Sequence, residues 1–268
     1  MGRAADKGLL KGDRIVRIDG MWVNPLAPDL AIERLLGEPG SFVELEYVRS
    51  GETMPVTEKI ERQVVVPVSV EGKLREVPGD RNSYIGELKI HNFQESTFQE
   101  VKDILAGWQT MSLRGIVIDL RGNPGGLLKP ALQVAELFLP ESVIVQTISR
   151  VPGLSRVYES HNMSPCPLPL AVLVDGETAS AAELLAGTLK DNRRAELIGT
   201  TTYGKHSIQN VYPLERGPGG LRLTVARFTS PSGSPFSSKG IPPNQIVTDP
   251  EAMVLKAVEV ILAAMMMN

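Results

Sequence analysis

Short apolar runs alternate with amphipathic stretches through the central part of the chain. Apolar runs rich in β-branched residues predict strands, which are expected at residues 84–90, 115–120, 170–174 and 195–199. Apolar residues at helical spacing predict helices, which are expected at residues 97–108, 127–139 and 181–189 and from residue 251 onward. Alternation of strands with helices is typical of βαβ units. The pattern therefore predicts an α/β core in which a mostly parallel sheet is flanked by helices.

The N-terminal residues follow a different pattern. A short helix and a turn lead into a strand over residues 5–20, apolar residues form a helical stripe over 30–36, and residues 42–47 alternate as a strand. The length of 268 residues leaves room for two units of ordinary domain size. We therefore expect a small module over residues 1–56 and a core over residues 57–268.

Four further segments are predicted outside these elements. Residues 57–70 are expected to be extended and to lead into the core, and residues 151–169 to form a loop rich in proline and serine. Residues 207–212 and 221–228 are expected to form strands.

Ser180 lies among small residues where the strand over 170–174 gives way to a helix. Asp175 and the residues after it supply a turn, and the helical pattern begins at Ala181. A helix N-terminus has unpaired N–H groups and the positive end of the dipole, so it can hold a tetrahedral oxyanion with Ala181 N–H as one donor. The same residues are also explained if Thr178 or Ser180 is a simple N-cap.

A lysine and a glutamine follow this serine along the chain. Lys205 comes 25 positions after Ser180, and Gln209 comes four positions after Lys205. A βαβ unit returns the chain to the same edge of the sheet, so Lys205 is expected near Ser180 as its general base, with Gln209 orienting the amine. At its ordinary pKa of about 10.4 a lysine is a poor base near neutrality, so this role requires a dry, apolar surrounding. A solvated lysine and glutamine are the alternative.

Two glycines form a turn after the strand over 115–120. Gly125 and Gly126 allow the backbone to approach a substrate carbonyl and to direct an N–H group at it, opposite Ala181. Taken alone, the pair is equally explained by an ordinary strand-to-helix turn. Because the G-x-G-x-x-G spacing is absent, the turn does not indicate a dinucleotide site. Together with Ser180 and Lys205, it favours acyl-transfer chemistry.

A histidine-based triad is the main chemical alternative to a lysine base. The candidates are His91, His161 and His206, and neither of the first two has an evident aspartate partner. His206 is adjacent to Lys205 and points the opposite way if the segment is extended. The pattern therefore favours Lys205.

Composition excludes several other classes of function. The formal charge of −3, with interspersed signs, gives no basic stripe for nucleic acid. The single cysteine, Cys166, lies between two prolines and is expected to be inert. Neither a signal peptide nor an apolar run long enough to span a membrane is found in this sequence. No metal or organic cofactor is expected.

Four motifs carry a family resemblance. They are Asp119-Leu120-Arg121-Gly122-Asn123-Pro124-Gly125-Gly126, Thr178-Ala179-Ser180-Ala181-Ala182-Glu183, Tyr203-Gly204-Lys205 with Gln209, and Ser230-Pro231-Ser232-Gly233 with Lys239-Gly240-Ile241-Pro242-Pro243. In this order and spacing they resemble the carboxyl-terminal processing (tail-specific) serine proteases. One departure is Ala182, where the family typically has a second serine.

The resemblance assigns a role to each site residue. It implies Ser180 as nucleophile, Lys205 as general base and Gln209 as the group that orients the lysine. It also implies an oxyanion hole made by the N–H groups of Gly126 and Ala181, with Gly125 as the alternative to Gly126. These residues would stand on a crotonase-like (ClpP-like) core and hydrolyse unfolded or C-terminally tagged polypeptides near the C-terminus through an acyl-enzyme. The family usually works outside the cytoplasm, in a periplasm, an envelope or a plastid lumen.

The resemblance extends into the N-terminal module. Residues 5–20 resemble the second half of a PDZ domain, and the strands and carboxylate-binding loop of its first half are not in this chain. We expect a partial PDZ-like module that precedes the protease core. A non-catalytic peptide-binding scaffold on the same fold and an acyl-CoA-processing enzyme remain alternatives, and the sequence leaves the oligomeric state open.

Overall fold

A computed structural model describes residues 4, 7–10, 12–23, 28–64, 68–214, 220–231 and 239–266. The chain forms two compact units, Met1–Pro67 and Val68–Asn268. Parts of four predicted features lie outside the described residues. These parts are residues 5, 6 and 11 of the N-terminal helix and turn, residues 65–67 of the extended segment, Ser232 and Gly233 of the fourth motif, and residues 267 and 268 after the last described helical residue.

Among its described residues, the first unit has an antiparallel sheet and one helix that is longer than a single turn. Its elements are β1 (Arg14–Ile18), β2 (Met21–Trp22), α1 (Pro28–Leu35), β3 (Phe42–Val48) and β4 (Val56–Glu61). The strand order is β2-β1-β3-β4, and β4 pairs with β3 along its whole length. The unit therefore extends past the predicted boundary at residue 56, because part of the predicted connection over 57–70 is a strand of this sheet. Its small core contains Ile18, Val43, Leu45 and Ile60.

The second unit contains two sheets and four helices among its described residues. Its elements are β5 (Val70–Val77), β6 (Asp80–Ile90), α2 (Thr97–Gly107), β7 (Leu113–Asp119), α3 (Leu128–Phe138), β8 (Ser142–Ile148), β9 (Arg156–Ser160), β10 (Leu170–Val174), α4 (Ala181–Asp191), β11 (Ala195–Gly199), β12 (Ser207–Pro213), β13 (Gly220–Thr229), β14 (Gln245–Ile246) and α5 (Pro250–Met266).

The six-stranded sheet has the order β14-β11-β10-β7-β6-β5. Neighbouring strands from β14 to β6 are parallel, and only β5 is antiparallel to its neighbour. This arrangement confirms the predicted α/β core with a mostly parallel sheet.

A second, antiparallel sheet has the order β12-β13-β8-β9. It corrects one prediction, because residues 151–169 are not a continuous loop: β9 lies within them and pairs with β8 through contacts such as Val145 with Tyr158. Of the four prolines in this segment, Pro152 precedes the strand and Pro165, Pro167 and Pro169 follow it, so none lies within β9.

Helices cover both faces of the parallel sheet. On one face, Ile116, Ile118 and Val172 pack in a large core with α2, α3 and α4. On the other face, Val117 and Leu173 pack against α5. Because consecutive side chains alternate between these two cores, the central strands are apolar along their whole length. No helix in the described part of the chain is long and apolar enough to cross a membrane.

Candidate active site

Ser180 stands on a sharp turn between β10 and α4. It is the N-cap of the helix, with φ of 56° and ψ of −118°, and it is half-buried. A positive φ in a residue other than glycine costs about 1–3 kcal/mol and persists only where the surroundings hold it. A strained strand-to-helix turn of this kind places a nucleophilic serine at the edge of a sheet.

Hydrogen bonds of Thr178 and Asp175 stabilise this turn. The buried Thr178 hydroxyl donates to the Leu120 carbonyl at 2.9 Å and accepts from Asp175 N–H at 2.9 Å. The Asp175 carboxylate accepts from Gly122 N–H at 3.0 Å. These bonds fasten the turn after β10 to the turn after β7.

Glu183 connects the serine turn to the lysine segment. Its carboxylate is buried, with 6% of the residue exposed, and it accepts four hydrogen bonds. Oε2 accepts from the N–H groups of Ser180 at 2.9 Å and Lys205 at 2.8 Å. Oε1 accepts from the Thr202 hydroxyl at 2.6 Å and Gly204 N–H at 2.7 Å.

The segment that carries Lys205 is fixed at further points. Tyr203 N–H donates to the Thr178 carbonyl at 3.0 Å. The Thr202 hydroxyl accepts from Ile241 N–H at 2.8 Å, so the segment that follows Lys239 is bound to the same turn. The backbone of Lys205 therefore lies at the Ser180 turn, as the βαβ topology predicts.

The side chain of Lys205 differs from the prediction. Lys205 and Gln209 are both exposed, and no hydrogen bond joins either of them to Ser180 among the described residues. The dry surrounding expected for a lysine base is absent here, because Lys205 precedes an edge strand of the second sheet instead of lying beneath a helix. Gln209 follows an irregularity in the pairing of β12 with β13, where the register shifts between Ile208 and Gln209.

The structure distinguishes the two glycines. Gly125 has φ of 99°, and a Cβ atom there would lie 2.8 Å from Ser180 Cβ and 2.9 Å from Ala181 N. Its own N–H donates to Asn123 Oδ1 at 2.8 Å. Gly126 is exposed, and its N–H has no hydrogen-bond partner among the described residues. Gly125 therefore allows the close approach to Ser180, while the Gly126 N–H has no partner among the described residues.

Asn123 holds these two turns together. It is fully buried, and its Nδ2 donates to the Ile90 carbonyl at 2.8 Å. Its carbonyl accepts from Ala179 N–H at 2.9 Å. The sequence analysis assigned no role to Asn123, Glu183 or Thr202. A usable signal was present for Glu183, which lies three residues after Ser180 in the spacing of a capping box.

Comparison with known proteins identifies the family. Residues 84–247, more than half of the chain, match peptidase family S41. The chain belongs to this family. Over 248 residues it is 35% identical to the carboxyl-terminal-processing protease of Synechocystis. The aligned region covers 92% of this chain and 57% of that protein.

Two further similar proteins are also C-terminal processing enzymes. Over 248 residues the chain is 38% identical to the chloroplastic carboxyl-terminal-processing peptidase 2 of Arabidopsis thaliana, covering 91% of this chain and 47% of that protein. The solved structure of the photosystem II D1 C-terminal processing protease aligns with a TM-score of 0.62 and 29% identity, over 96% of this chain and 69% of that one. The S41 chain described here thus spans about half the length of the curated relatives it matches.

A charged network lies beside the glycine turn of this S41 chain. The Asp119 carboxylate accepts from Arg121 at 2.7 Å and pairs with Lys89 at 3.2 Å. Burial raises the pKa of Asp119, but the Arg121 hydrogen bond and the charge of Lys89 outweigh it, so the pKa lies below its ordinary value. Arg121 also donates to the Pro250 carbonyl at 2.8 Å, which ties the turn after β7 to the start of α5.

Among the described residues, no group of three or more His, Cys, Asp or Glu side chains is placed to hold a metal ion. The histidine Nδ1 of His206 lies 3.2 Å from the Gly204 carbonyl, and His91 lies 3.1 Å from the Glu71 carboxylate. No described hydrogen bond joins a histidine to Ser180.

Proposed function

We propose that this chain is the core of a serine endopeptidase that cleaves unfolded polypeptides near the C-terminus through a Ser180/Lys205 dyad. The observation that carries the proposal is the contact between Ser180 and Gly125. It brings the glycine turn against Ser180, which itself stands at positive φ at the start of α4. This contact supports an oxyanion hole to which Gly126 contributes an N–H without a hydrogen-bond partner among the described residues. Membership of peptidase family S41 gives the reaction class.

The first half of the reaction acylates the serine. Ser180 Oγ attacks the carbonyl carbon of the scissile peptide bond, and its proton passes to the neutral amine of Lys205. The carbonyl oxygen becomes an oxyanion, which accepts hydrogen bonds from the N–H groups of Gly126 and Ala181. The tetrahedral intermediate then collapses. The C–N bond breaks, the leaving amine takes the proton from Lys205, and an ester remains on Ser180.

The second half of the reaction releases the product. A water molecule gives a proton to Lys205 and attacks the ester carbonyl, and the same two N–H groups stabilise the second oxyanion. The C–O bond to Ser180 then breaks and the serine recovers its proton. Gln209 orients the Lys205 amine as an uncharged hydrogen-bond partner.

Bound substrate completes the surroundings of Lys205 in this proposal. The lysine is exposed, while its backbone is fixed by Glu183. A polypeptide that lies across Ser180 excludes water from the Lys205 side chain and so supplies the dry surrounding that a lysine base requires. The base is therefore active only when a substrate covers it.

The domain roles and location are part of the same proposal. We assign the first unit, with its four-stranded sheet and helix, to a partial PDZ-like module that presents substrate tails. We place the protein outside the cytoplasm, since a curated relative is chloroplastic and others are bacterial processing proteases. Its substrates are unfolded or C-terminally tagged polypeptides.

Two substrates test the reaction class in parallel. The purified chain is incubated with unfolded casein and, separately, with an acyl-CoA thioester. Peptide products are detected by mass spectrometry, and free thiol is detected by absorbance. The proposal predicts peptides from casein and no thiol release. Thiol release without peptides would contradict it and would indicate an acyl-CoA-processing enzyme.

A further inference from the structure

A large pocket lies at the opposite end of the sheet from Ser180. It has a volume of about 700 Å³ and is lined at its floor by Leu170 and Ala195, the first residues of β10 and β11. The C-terminal half of α5 forms another wall. Because Ser180 follows the carboxyl end of β10, this pocket is separate from the candidate active site.

Arg194 is a partly buried cation on the wall of this pocket. Its Nε donates to the Phe138 carbonyl at 2.9 Å, and its Nη2 donates to the carbonyls of Cys166 at 2.7 Å and Leu168 at 2.6 Å. Its Nη1 has no partner among the described residues, and Arg194 forms no ion pair with a described carboxylate. Burial lowers the pKa of Arg194.

Other cations of the pocket also lack a carboxylate partner. Arg193 is exposed and forms no described ion pair, and Lys190 donates to the Pro242 carbonyl at 2.5 Å. The remaining lysine, Lys256, is paired with Glu259 at 3.1 Å. Three cations without a described salt bridge therefore line one pocket, together with the carboxylates of Glu196 and Glu259.

The C-terminal dipole of α4 does not account for this group. Cations near the last turn of a helix are favoured by its carbonyl groups, which explains Lys190. The Arg194 guanidinium instead donates to three carbonyls in two other segments, at the end of α3 and in the segment before β10. Its position at the pocket is therefore not explained by the α4 dipole.

We propose that this pocket binds a small polyvalent oxyanion, either a phosphate or a polycarboxylate, through Arg194, Arg193 and Lys190. Guanidinium groups match the geometry of both kinds of oxygen, and Arg193 and Arg194 form no described salt bridge that a bound anion would have to replace. The pocket volume suits a small ligand. Since the pocket is remote from Ser180, the proposal does not depend on the protease activity.

Calorimetric titration of the purified chain tests the site. Inorganic phosphate and citrate are titrated separately at constant ionic strength, with chloride as the reference anion, to distinguish the two sources of the oxyanion. We expect saturable binding of phosphate, citrate or both, at one site per chain. Arg193→Gln and Lys190→Gln should each weaken it by roughly tenfold, the effect of losing a hydrogen bond to a charged group.

Further variants make the result decisive. Arg194→Gln should weaken binding most, and a thermal unfolding curve shows whether that variant is folded. If Arg194→Gln is unfolded, binding by Arg193→Gln decides the test, because Arg193 is exposed. Arg150→Gln removes an exposed arginine from a distant loop and should leave binding unchanged. Absence of saturable binding, or equal weakening by Arg150→Gln and Arg193→Gln, would overturn the proposal.

Discussion

The Glu183 side chain and the Lys205 backbone are joined by a hydrogen bond of 2.8 Å, from Lys205 N–H to Glu183 Oε2. The same oxygen accepts from Ser180 N–H at 2.9 Å. A single buried carboxylate thus fixes the distance between the two segments that carry the proposed nucleophile and base. No described cation pairs with Glu183, so its charge is stabilised by these donors.

Replacing Glu183 with Gln should impair both stability and activity. The amide turns one acceptor into a donor that faces other donors, so buried N–H groups lose their partner. We expect the free energy of unfolding to fall by about 1–3 kcal/mol. We also expect kcat to fall more than KM changes, because Ser180 and Lys205 lose their common support.

Denaturant unfolding and casein cleavage measure the two effects. Glu95→Gln is the matched control, since Glu95 is exposed and forms no described hydrogen bond. A Glu183→Gln protein with the stability and kcat of the parent would show that the carboxylate does not position the site.

Lys205→Arg should be nearly as damaging as Lys205→Ala. A guanidinium stays protonated and cannot accept the serine proton, and a general base contributes about 10²- to 10⁴-fold to the rate. Lys129→Arg, at an exposed position, is the control. Substantial turnover by Lys205→Arg would contradict the base role. It would show that Lys205 contributes only its charge or its packing.

Gly125→Ala should inactivate the site while the helices remain formed. The added methyl group would lie 2.7 Å from the Ala179 carbonyl oxygen and 2.8 Å from Ser180 Cβ, so the serine turn has to move. A displacement of the reacting group by about 1 Å costs about a hundredfold in rate. In Gly107→Ala the new Cβ has open space, so this variant should match the parent in casein cleavage. Equal rates for the two variants would rule out the close contact.

Much of the core could be predicted from the sequence. The run Leu170–Val174 is buried on both faces, so its apolar pattern identified a central strand, and turn residues marked where Ser180 follows it. The exposure of Lys205 could not be predicted, because it depends on which sheet receives β12. The hydrogen bonds to Glu183 could not be predicted either, since three of its four donors lie 19 to 22 residues away in the chain.

Asp119→Asn should lower stability in a pH-dependent way. The pKa of Asp119 is below its ordinary value, so the ionised carboxylate stabilises the fold at every pH above the unfolded pKa of about 4. That contribution is lost as the pH falls through the lower folded pKa. At neutral pH we expect the variant to be less stable by about 1–3 kcal/mol.

Urea unfolding across the acidic range checks this sign. The difference between parent and Asp119→Asn should shrink as the solution becomes more acidic. Asp103→Asn is the control, because Asp103 is exposed and an asparagine there can still accept the bond from Gln99. A difference that is constant with pH, or that grows in acid, would contradict the lowered pKa.

Cleavage of unfolded casein by Ser180→Ala tests the central claim most directly. The measurement compares the initial rate of peptide release by the parent, by Ser180→Ala and by Ser164→Ala, which removes an exposed serine from a loop. Circular dichroism establishes that all three are folded. We expect Ser164→Ala to match the parent and Ser180→Ala to be slower by about 10³-fold or more. A folded Ser180→Ala protein that cleaves casein near the parent rate would contradict the account.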